Sequence, residues 1–339
     1  MTFKKNIGID LGTDTTQIYL VGSGVVLNEP SIAAFNNRTN RVVAYGTEAK
    51  KMLSRTPAHI TVARPVVHGI IADFEMAREM VQRFMKSPRI PWSWSTRVVV
   101  GVPTNLTEVE RKSVEDLIKE SGANEVHLVE QPLAAALGSQ LNIEEPTAYL
   151  VLDIGAGASD MAIISMNGIV TSKRLKIAGD YLNNEIVKAV RDELKLHIGE
   201  PTAEEIKVAV GTAMPQTERL DIAVRGRDVS TGLPRETVVK DNQVRSWLSK
   251  SLKFIVEGLK DLIESSPAEL VGDIHKNGIY MCGGMSQLRG LPELLERETG
   301  VEVKLVDEPL TCVVRGTGVI VEKFDKYRHL LDNFPTLKI

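Results

Sequence analysis

The sequence has little cysteine: only Cys282 and Cys312 in 339 residues. They stand in no metal-ligand spacing, and two thiols in a chain this long suit a reducing cytosol. The six histidines are scattered and form no ligand set. Neither sign of charge is in excess: the net charge is −3, so no bulk field draws the chain to nucleic acid or membrane. No apolar run reaches the roughly 18–20 residues of a membrane span, and the start MTFKKNIGID does not read as a signal peptide. No segment is of low complexity. What remains, 43% hydrophobic and 25% charged, is an ordinary globular composition, long enough for two domains.

One phrase occurs twice. AYLVLDIGAGASDMAII (148–164) and NIGIDLGTDTTQIYLV (6–21) each run apolar, reach an aspartate, turn through glycine and run apolar again. The aspartates are Asp10 and Asp153. Glycines at such a bend let backbone N–H groups approach an anion. Thr13, Thr15 and Ser159 have hydroxyls to donate to phosphate oxygens. Asp10 and Asp153 would repel phosphate, but they suit a Mg²⁺ ion held through water. Two such hairpins face to face would clasp a triphosphate. The plainer alternative is a pair of ordinary glycine hairpins, and matching places in matching halves weigh against it.

The remaining pattern supports two related halves. Helical spacing marks 73–86, with Met76, Met80 and Phe84 on one stripe. RVVVGVP (97–103) reads as a strand buried on both faces. Thr107 with Glu110 forms a capping box for the helix that Gly122 ends. EVHLVE then leads into the helix QPLAAALGSQL. After Pro146 the meander restarts, and residues 217–240 alternate like an antiparallel pair. The longest helix is expected over NQVRSWLSKSLKFIVEGLKDLIESS, and one closing helix over RGTGVIVEKFDKYRHLL. Each half is an α/β unit with a mixed sheet and flanking helices. Two further turns stand out. GIYMCGGMSQLRGL (278–291) takes backbone past Gly283-Gly284, where a flat base or ribose could lie. AGDYLNNEI (178–186) offers Gly179 and Asp180 to a ribose, unless Asp180 merely caps a helix.

Hairpin, hairpin, Gly-Asp and Gly-Gly, in that order, resemble the actin, Hsp70 and sugar-kinase ATPase superfamily. Within it the chain most resembles the bacterial actins of the MreB type, which include Mbl and MreBH. IGIDLGTDTTQIYL, GSGVVLNEPSIAA, RTPAHITVARPVVHGIIADFE, EQPLAAALG, VLDIGAGASDMAIISMNGIVTS, CGGMSQLRGLPELL and RGTGVIVE carry the likeness over nearly the whole chain. The resemblance implies the actin-like ATPase fold, two duplicated RNase H-like domains around a nucleotide cleft. Domain I would be 1–146 plus 319–339, with subdomain IB at about 33–66. Domain II would be 147–318, with IIB at about 181–242. The family implies ATP with Mg²⁺, and cytoplasmic, membrane-associated filaments of paired protofilaments. Its partners would be further copies of itself, the inner face of the membrane and the cell-elongation machinery, with no nucleic acid. The family's motifs put Gly12, Thr13, Asp14 and Thr15 on the phosphates from one side, and Gly155, Ala156 and Gly157 from the other. Asp10 and Asp153 would face the magnesium and its waters. Gly179 and Asp180 would meet the ribose, Glu204 and Lys207 would flank the adenosine, and Gly283, Gly284, Met285 and Ser286 would line the base. By spacing alone, Glu204 and Lys207 are a solvated i,i+3 pair.

The chain also departs from its family. The usual DLGTANT reads DLGTDTT, so Asp14 adds negative charge beside a polyphosphate. DIGGGTTE reads DIGAGASD: Ala156 requires negative φ, and Ala158 lacks a hydroxyl. The family's EEP reads EQP, placing Gln131 where a glutamate activates the attacking water. Gln cannot accept a proton but can orient water, so slow hydrolysis is expected. GGG becomes GGM, bringing Met285 toward the base.

KSPRIPWSWSTRVVV (86–100) holds Trp92 and Trp94, which project to one side of an extended loop. With Lys86, Arg89 and Arg97 they suit a membrane interface, or else they cover a core edge. Among other functions, a chaperone ATPase would need a peptide-binding domain, which a chain ending at Ile339 is not expected to have. A sugar or acetate kinase would need a polar acceptor cluster, which is not found. A filament for plasmid or organelle positioning or for division remains an alternative, as does a weakly hydrolysing paralogue that co-polymerises.

Overall fold

The structure is a computed structural model that describes residues 4–39, 41–91 and 95–331. In the first half, β1 (Lys4–Leu11), β2 (Thr15–Leu20) and β3 (Gly24–Pro30) form a meander. An excursion follows: β4 (Ala33–Asn36), β5 (Arg41–Tyr45), α1 (Gly46–Met52) and β6 (Ile60–Ala63), then the short pair β7 (Val66–Val67) and β8 (Ile70–Ile71). Next come α2 (Phe74–Met85), β9 (Ser95–Val102), α3 (Glu108–Glu120), β10 (Glu125–Glu130) and α4 (Gln131–Gly138).

The second half repeats the plan. β11 (Tyr149–Ile154), β12 (Ser159–Ser165) and β13 (Gly168–Leu175) form its meander. The excursion is larger: α5 (Gly179–Leu194), β14 (Leu196–His197), α6 (Glu200–Val210), β15 (Asp221–Asp228) and β16 (Pro234–Lys240). Then come α7 (Asp241–Glu264), α8 (Ala268–Asn277), β17 (Ile279–Cys282), α9 (Leu291–Thr299), β18 (Val303–Leu305), α10 (Cys312–Glu322) and α11 (Phe324–Tyr327).

The first sheet runs β10-β9-β1-β2-β3 and the second β18-β17-β11-β12-β13. Antiparallel and parallel pairings match strand for strand, with β1 parallel to β9 and β11 parallel to β17. This is the mixed α/β architecture of an actin-like fold. Its strands form because Ile7, Ile9, Val98 and Val100 on one sheet, and Leu150, Leu152 and Met281 on the other, all lose their exposure. The capping box at Thr107 is present, with Glu110 Oε2 accepting from Thr107 N at 2.8 Å. Two expectations change. The closing helix begins earlier, at Cys312, and breaks at Lys323 into α10 and α11. The helices α1 and α8 had gone unread, since each is short and buries little: only Gly46 and Ala49, and only Ile274.

Helices α4 and α10 decide how the halves meet. α4 packs on β11 and β12 of the second sheet, and α10 on β1, β9 and β2 of the first. They also pack on each other, backbone against backbone. A Cβ on Gly316 would overlap the Ala134 carbonyl, and one on Gly138 would overlap the Cys312 carbonyl. The run of alanines in α4 serves the same approach. Gly316→Ala should therefore cost about 3 kcal/mol of stability, measured by urea unfolding. Gly272→Ala, at a helical glycine with open space around it, should be neutral or stabilise by up to about 1 kcal/mol.

Candidate functional site

Both glycine hairpins open on one cavity of about 550 Å³, within the range of small-molecule sites. In the first, Gly12 N donates to Thr15 O at 3.0 Å; in the second, Gly155 N donates to Ala158 O at 3.0 Å. The two bends face each other so closely that a Cβ on Gly157 would overlap the Thr13 hydroxyl. Residues 64–69 brace both. Gly69 N donates to Thr13 Oγ1 at 2.9 Å, His68 Nδ1 meets Gly157 O at 2.6 Å, and Arg174 donates to His68 O. Ala156 keeps negative φ, so its methyl group is accommodated.

Asp10 and Asp153 sit at the floor, each half-buried and lining the cavity. Burial pushes Asp10 up to about 6, partly offset by Gln131, whose Nε2 donates to Asp10 Oδ1 at 3.1 Å. Burial also raises Asp153 well above the usual carboxylate range, and the charge of Asp10 adds to the rise. Gly283 makes room for Asp153. It adopts φ +84°, and a Cβ there would overlap both Asp153 Oδ1 and Ile154 O. No cationic side chain pairs with either carboxylate among the described residues. Two hard oxygen donors without a counter-ion, open to a cavity, fit a Mg²⁺ ion that keeps most of its waters. No cluster of three or more acidic, histidine or cysteine ligands exists among the described residues, so the protein offers no complete metal cage.

At the other end, Lys207 is 7% exposed and donates to Glu204 Oε2 at 2.7 Å and to Gly179 O at 3.1 Å. Burial alone would raise Glu204, but Lys207 and Asn183 hold it below its ordinary value. The pair is thus fixed in the cavity wall, not solvated. Gly283, Gly284, Met285 and Leu288 line the same end.

Asp10, Gly12, Thr13, Asp14, Thr15, Gln131, Asp153, Gly155, Ala156, Gly157, Gly179, Asp180, Glu204, Lys207, Gly283, Gly284 and Met285 all line the cavity. Ser286 and Ser159 do not. Ser286 is 2% exposed and donates to Gly283 O at 2.6 Å, holding the turn from behind. Ser159 is fully buried and donates to Ile177 O at 2.6 Å. Asp14 turns to Arg64 at 3.3 Å and Lys50 at 3.8 Å, which offset its charge. Trp92 and Trp94 lie outside the described residues. Arg97 is not free for lipid head groups: it pairs with Glu125 at 2.9 Å and lies 3.7 Å over the Phe324 ring.

The sequence reading missed Asp160, Arg174 and Arg289. Asp160 lies opposite Asp153 in the β11–β12 register and accepts from Thr104 Oγ1 at 3.1 Å. That register follows from the hairpin, so the pairing was available. Arg289 donates to the Ala209 carbonyl at 2.8 Å at the end of α6, a contact between elements far apart in sequence that no local pattern encodes.

Glu130 precedes Gln131 but lies behind the cavity, 8% exposed. Burial pushes it up to about 7, with Arg111 lowering it and Asp160 raising it. The folded state therefore holds this proton to higher pH than the unfolded chain does. The stability it contributes is full below about 4.5 and is lost as pH rises through about 7. Glu130→Gln should leave the melting temperature nearly unchanged at about pH 4.5 and add about 2 kcal/mol at about pH 8, read by thermal unfolding across pH.

The family model for MreB/Mbl protein matches residues 4–329. Cell shape-determining protein Mbl of Bacillus subtilis is 41% identical over 325 residues, covering 96% of this chain and 98% of that protein. Cell shape-determining protein MreB of Escherichia coli is 41% identical over 331 residues, covering 96% and 95%. Among solved structures, MreB 5 of Spiroplasma citri bound to AMPPNP superposes with a TM-score of 0.93 at 34% identity, covering 97% of this chain and 99% of that one. A MamK double helical filament, at 22% identity and a TM-score of 0.79 over 94% and 99%, shares the fold. With its paired hairpins, matched sheets and a match this long, the chain belongs to the MreB/Mbl family of actin-like proteins.

Proposed function

We propose that the chain binds ATP with Mg²⁺ and polymerises into membrane-associated filaments that organise wall synthesis and rod shape. The observation that carries this is the cavity itself: two duplicated hairpins, each with one half-buried aspartate lining it, opposed across glycine backbone. The relative from Spiroplasma citri has been solved with AMPPNP and with ADP, and we carry nucleotide binding over from it. On this reading the halves are domain I (1–146 plus 319–339) and domain II (147–318), with β4–β6 in IB and α5–β16 in IIB.

Gly12 and Gly155 close the two bends and let backbone approach the phosphates, which the N–H groups of residues 13–15, 156 and 157 hold, with Thr13 and Thr15 adding hydroxyls. Asp10 and Asp153 would hold the Mg²⁺ ion, which would supply charge neutralisation for the phosphates. Gly179 and Asp180 meet the ribose, Glu204 and Lys207 flank the adenosine, and Gly283, Gly284 and Met285 lie on the base. Gln131 orients the attacking water while its amide stays tied to Asp10. An amide takes no proton, and Ala158 offers no hydroxyl, so hydrolysis is slow. These two residues also favour a second reading, a weakly hydrolysing paralogue that co-polymerises with a more typical relative. Membrane attachment rests on the sequence signal of Trp92 and Trp94, which the exposed Lys86 and Arg89 precede in the chain.

With Mg-ATP the chain should pellet on ultracentrifugation, and it should co-sediment with anionic lipid vesicles. A chain that stays in the supernatant under both conditions overturns the proposal. Gln131→Glu should raise phosphate release roughly tenfold, less than the full 10²–10⁴ of general base catalysis because glutamine already orients the water. An unchanged rate would show that proton acceptance at this position does not limit turnover.

A further inference from the structure

The cavity has a rim, and a single guanidinium spans it. Arg64 follows β6, in the excursion of the first half. Its Nη1 lies 2.7 Å from Glu200 and 3.6 Å from Asp180, both in the second half. Its Nη2 lies 3.3 Å from Asp14 in the first hairpin. The side chain is 23% exposed, so these pairs are partly desolvated. Other contacts run in parallel. Lys50 of α1 lies 3.8 Å from Asp14, and its charge helps lower Glu204 on α6. A Cβ on Gly199, just before α6, would stand 3.9 Å from Ser54 Oγ.

The groups that join the two excursions are thus the rim of the cavity: Asp14 and Asp180 both line it. Three carboxylates converge on Arg64. Opening the rim separates the guanidinium from two of them at once and leaves Asp180 partly buried with less compensation. Asp14 adds an anchor on the near side, where the family's usual hairpin carries alanine. We propose that Arg64, held by Asp14, Asp180 and Glu200, is a clasp across the cavity mouth that sets how fast a bound nucleoside triphosphate leaves. This rests on the cavity being the nucleotide site. Arg64 and Glu200 act on release through the rim, not on the phosphates, so their removal changes the off-rate more than the chemistry.

The test is release of a fluorescent ATP analogue from the full chain with Mg²⁺, chased by excess ATP in stopped flow. Arg64→Gln and Glu200→Gln should each release it roughly five- to tenfold faster, and the double variant no faster than Arg64→Gln alone. Raising ionic strength should speed release from the unaltered chain and leave Arg64→Gln nearly unaffected. Arg64→Lys, which keeps the charge but loses the fork, should fall between and guards against a folding defect in Arg64→Gln. Release at the unaltered rate from both Arg64→Gln and Glu200→Gln overturns the clasp while leaving nucleotide binding intact. Failure of the unaltered chain to bind the analogue overturns the nucleotide reading, and the clasp with it.

Discussion

The structure depends on the crossing of α4 and α10. Each follows the last strand of its own sheet, yet each also packs on the sheet of the other half. Their backbones touch through Gly138 and Gly316, an approach that any side chain would prevent. A contact of this kind fixes distance and angle far more tightly than side-chain packing does, because no rotamer can absorb a displacement. It brings β1 and β11 together so that both hairpins point at the same space. Gln131 begins α4, so the seam also delivers the side chain that reaches Asp10. Cys312 begins α10 and donates to the Ala135 carbonyl of α4 at 3.1 Å, while Cys282 ends β17 opposite Asp153. The floor of the site is therefore built from the ends of the elements that hold the halves together.

That floor is costly. Two half-buried carboxylates lie without a cation among the described residues, and each raises the free energy of having the other ionised. The fold accepts this because the glycine turns leave the space above them open to a ligand. Where the chain closes space instead, the hydroxyls are spent on backbone carbonyls: Ser286 on Gly283 of its own turn, and Ser159 on Ile177 beyond β13. The same distinction separates Gln131 from Glu130. The glutamine opens on the cavity, whereas the glutamate lies behind it and is raised by burial in a place where no ligand reaches.

Most of the site was legible because it is local. A hairpin needs its aspartate, glycines and threonines within about eight residues, and so does a strand-to-helix turn. Those spans contain Asp10 to Thr15, Asp153 to Gly157 and Gly283 to Met285, and all of these but the core residues Leu11 and Ile154 line the cavity. The family's motifs raised Glu204 and Lys207 above an ordinary helix pair; burial of Lys207 supplies the physical reason. What escaped was made by tertiary proximity. Arg174 reaches His68 from over a hundred positions away, and Arg64 finds partners in both halves. Ser159 and Ser286 were misassigned for the opposite reason: their motifs are right, but side-chain direction within a turn is not encoded by spacing. The break at Lys323 divides a helix whose apolar pattern continues, and Phe324 and Tyr327 beyond it stay buried in the same core.

The two halves share a plan but not a role. In the first, the excursion is small and its cations, Lys50 and Arg64, point outward over the cavity. In the second, the excursion is large and meets them with Asp180, Glu200 and Glu204. Duplication alone would make the rim symmetric. Opposite charges on the two excursions instead give the rim a reason to close, whereas the apolar core that the halves share lies at the α4–α10 seam. Asp14 adds to the acidic side from the first hairpin, so this chain's departure from its family strengthens the rim at the place where extra negative charge would otherwise repel a polyphosphate. A residue that reads as a defect in the hairpin motif is, in the folded chain, half of an ion pair. Its charge is spent at the rim on Arg64 and Lys50, not left to face the phosphates.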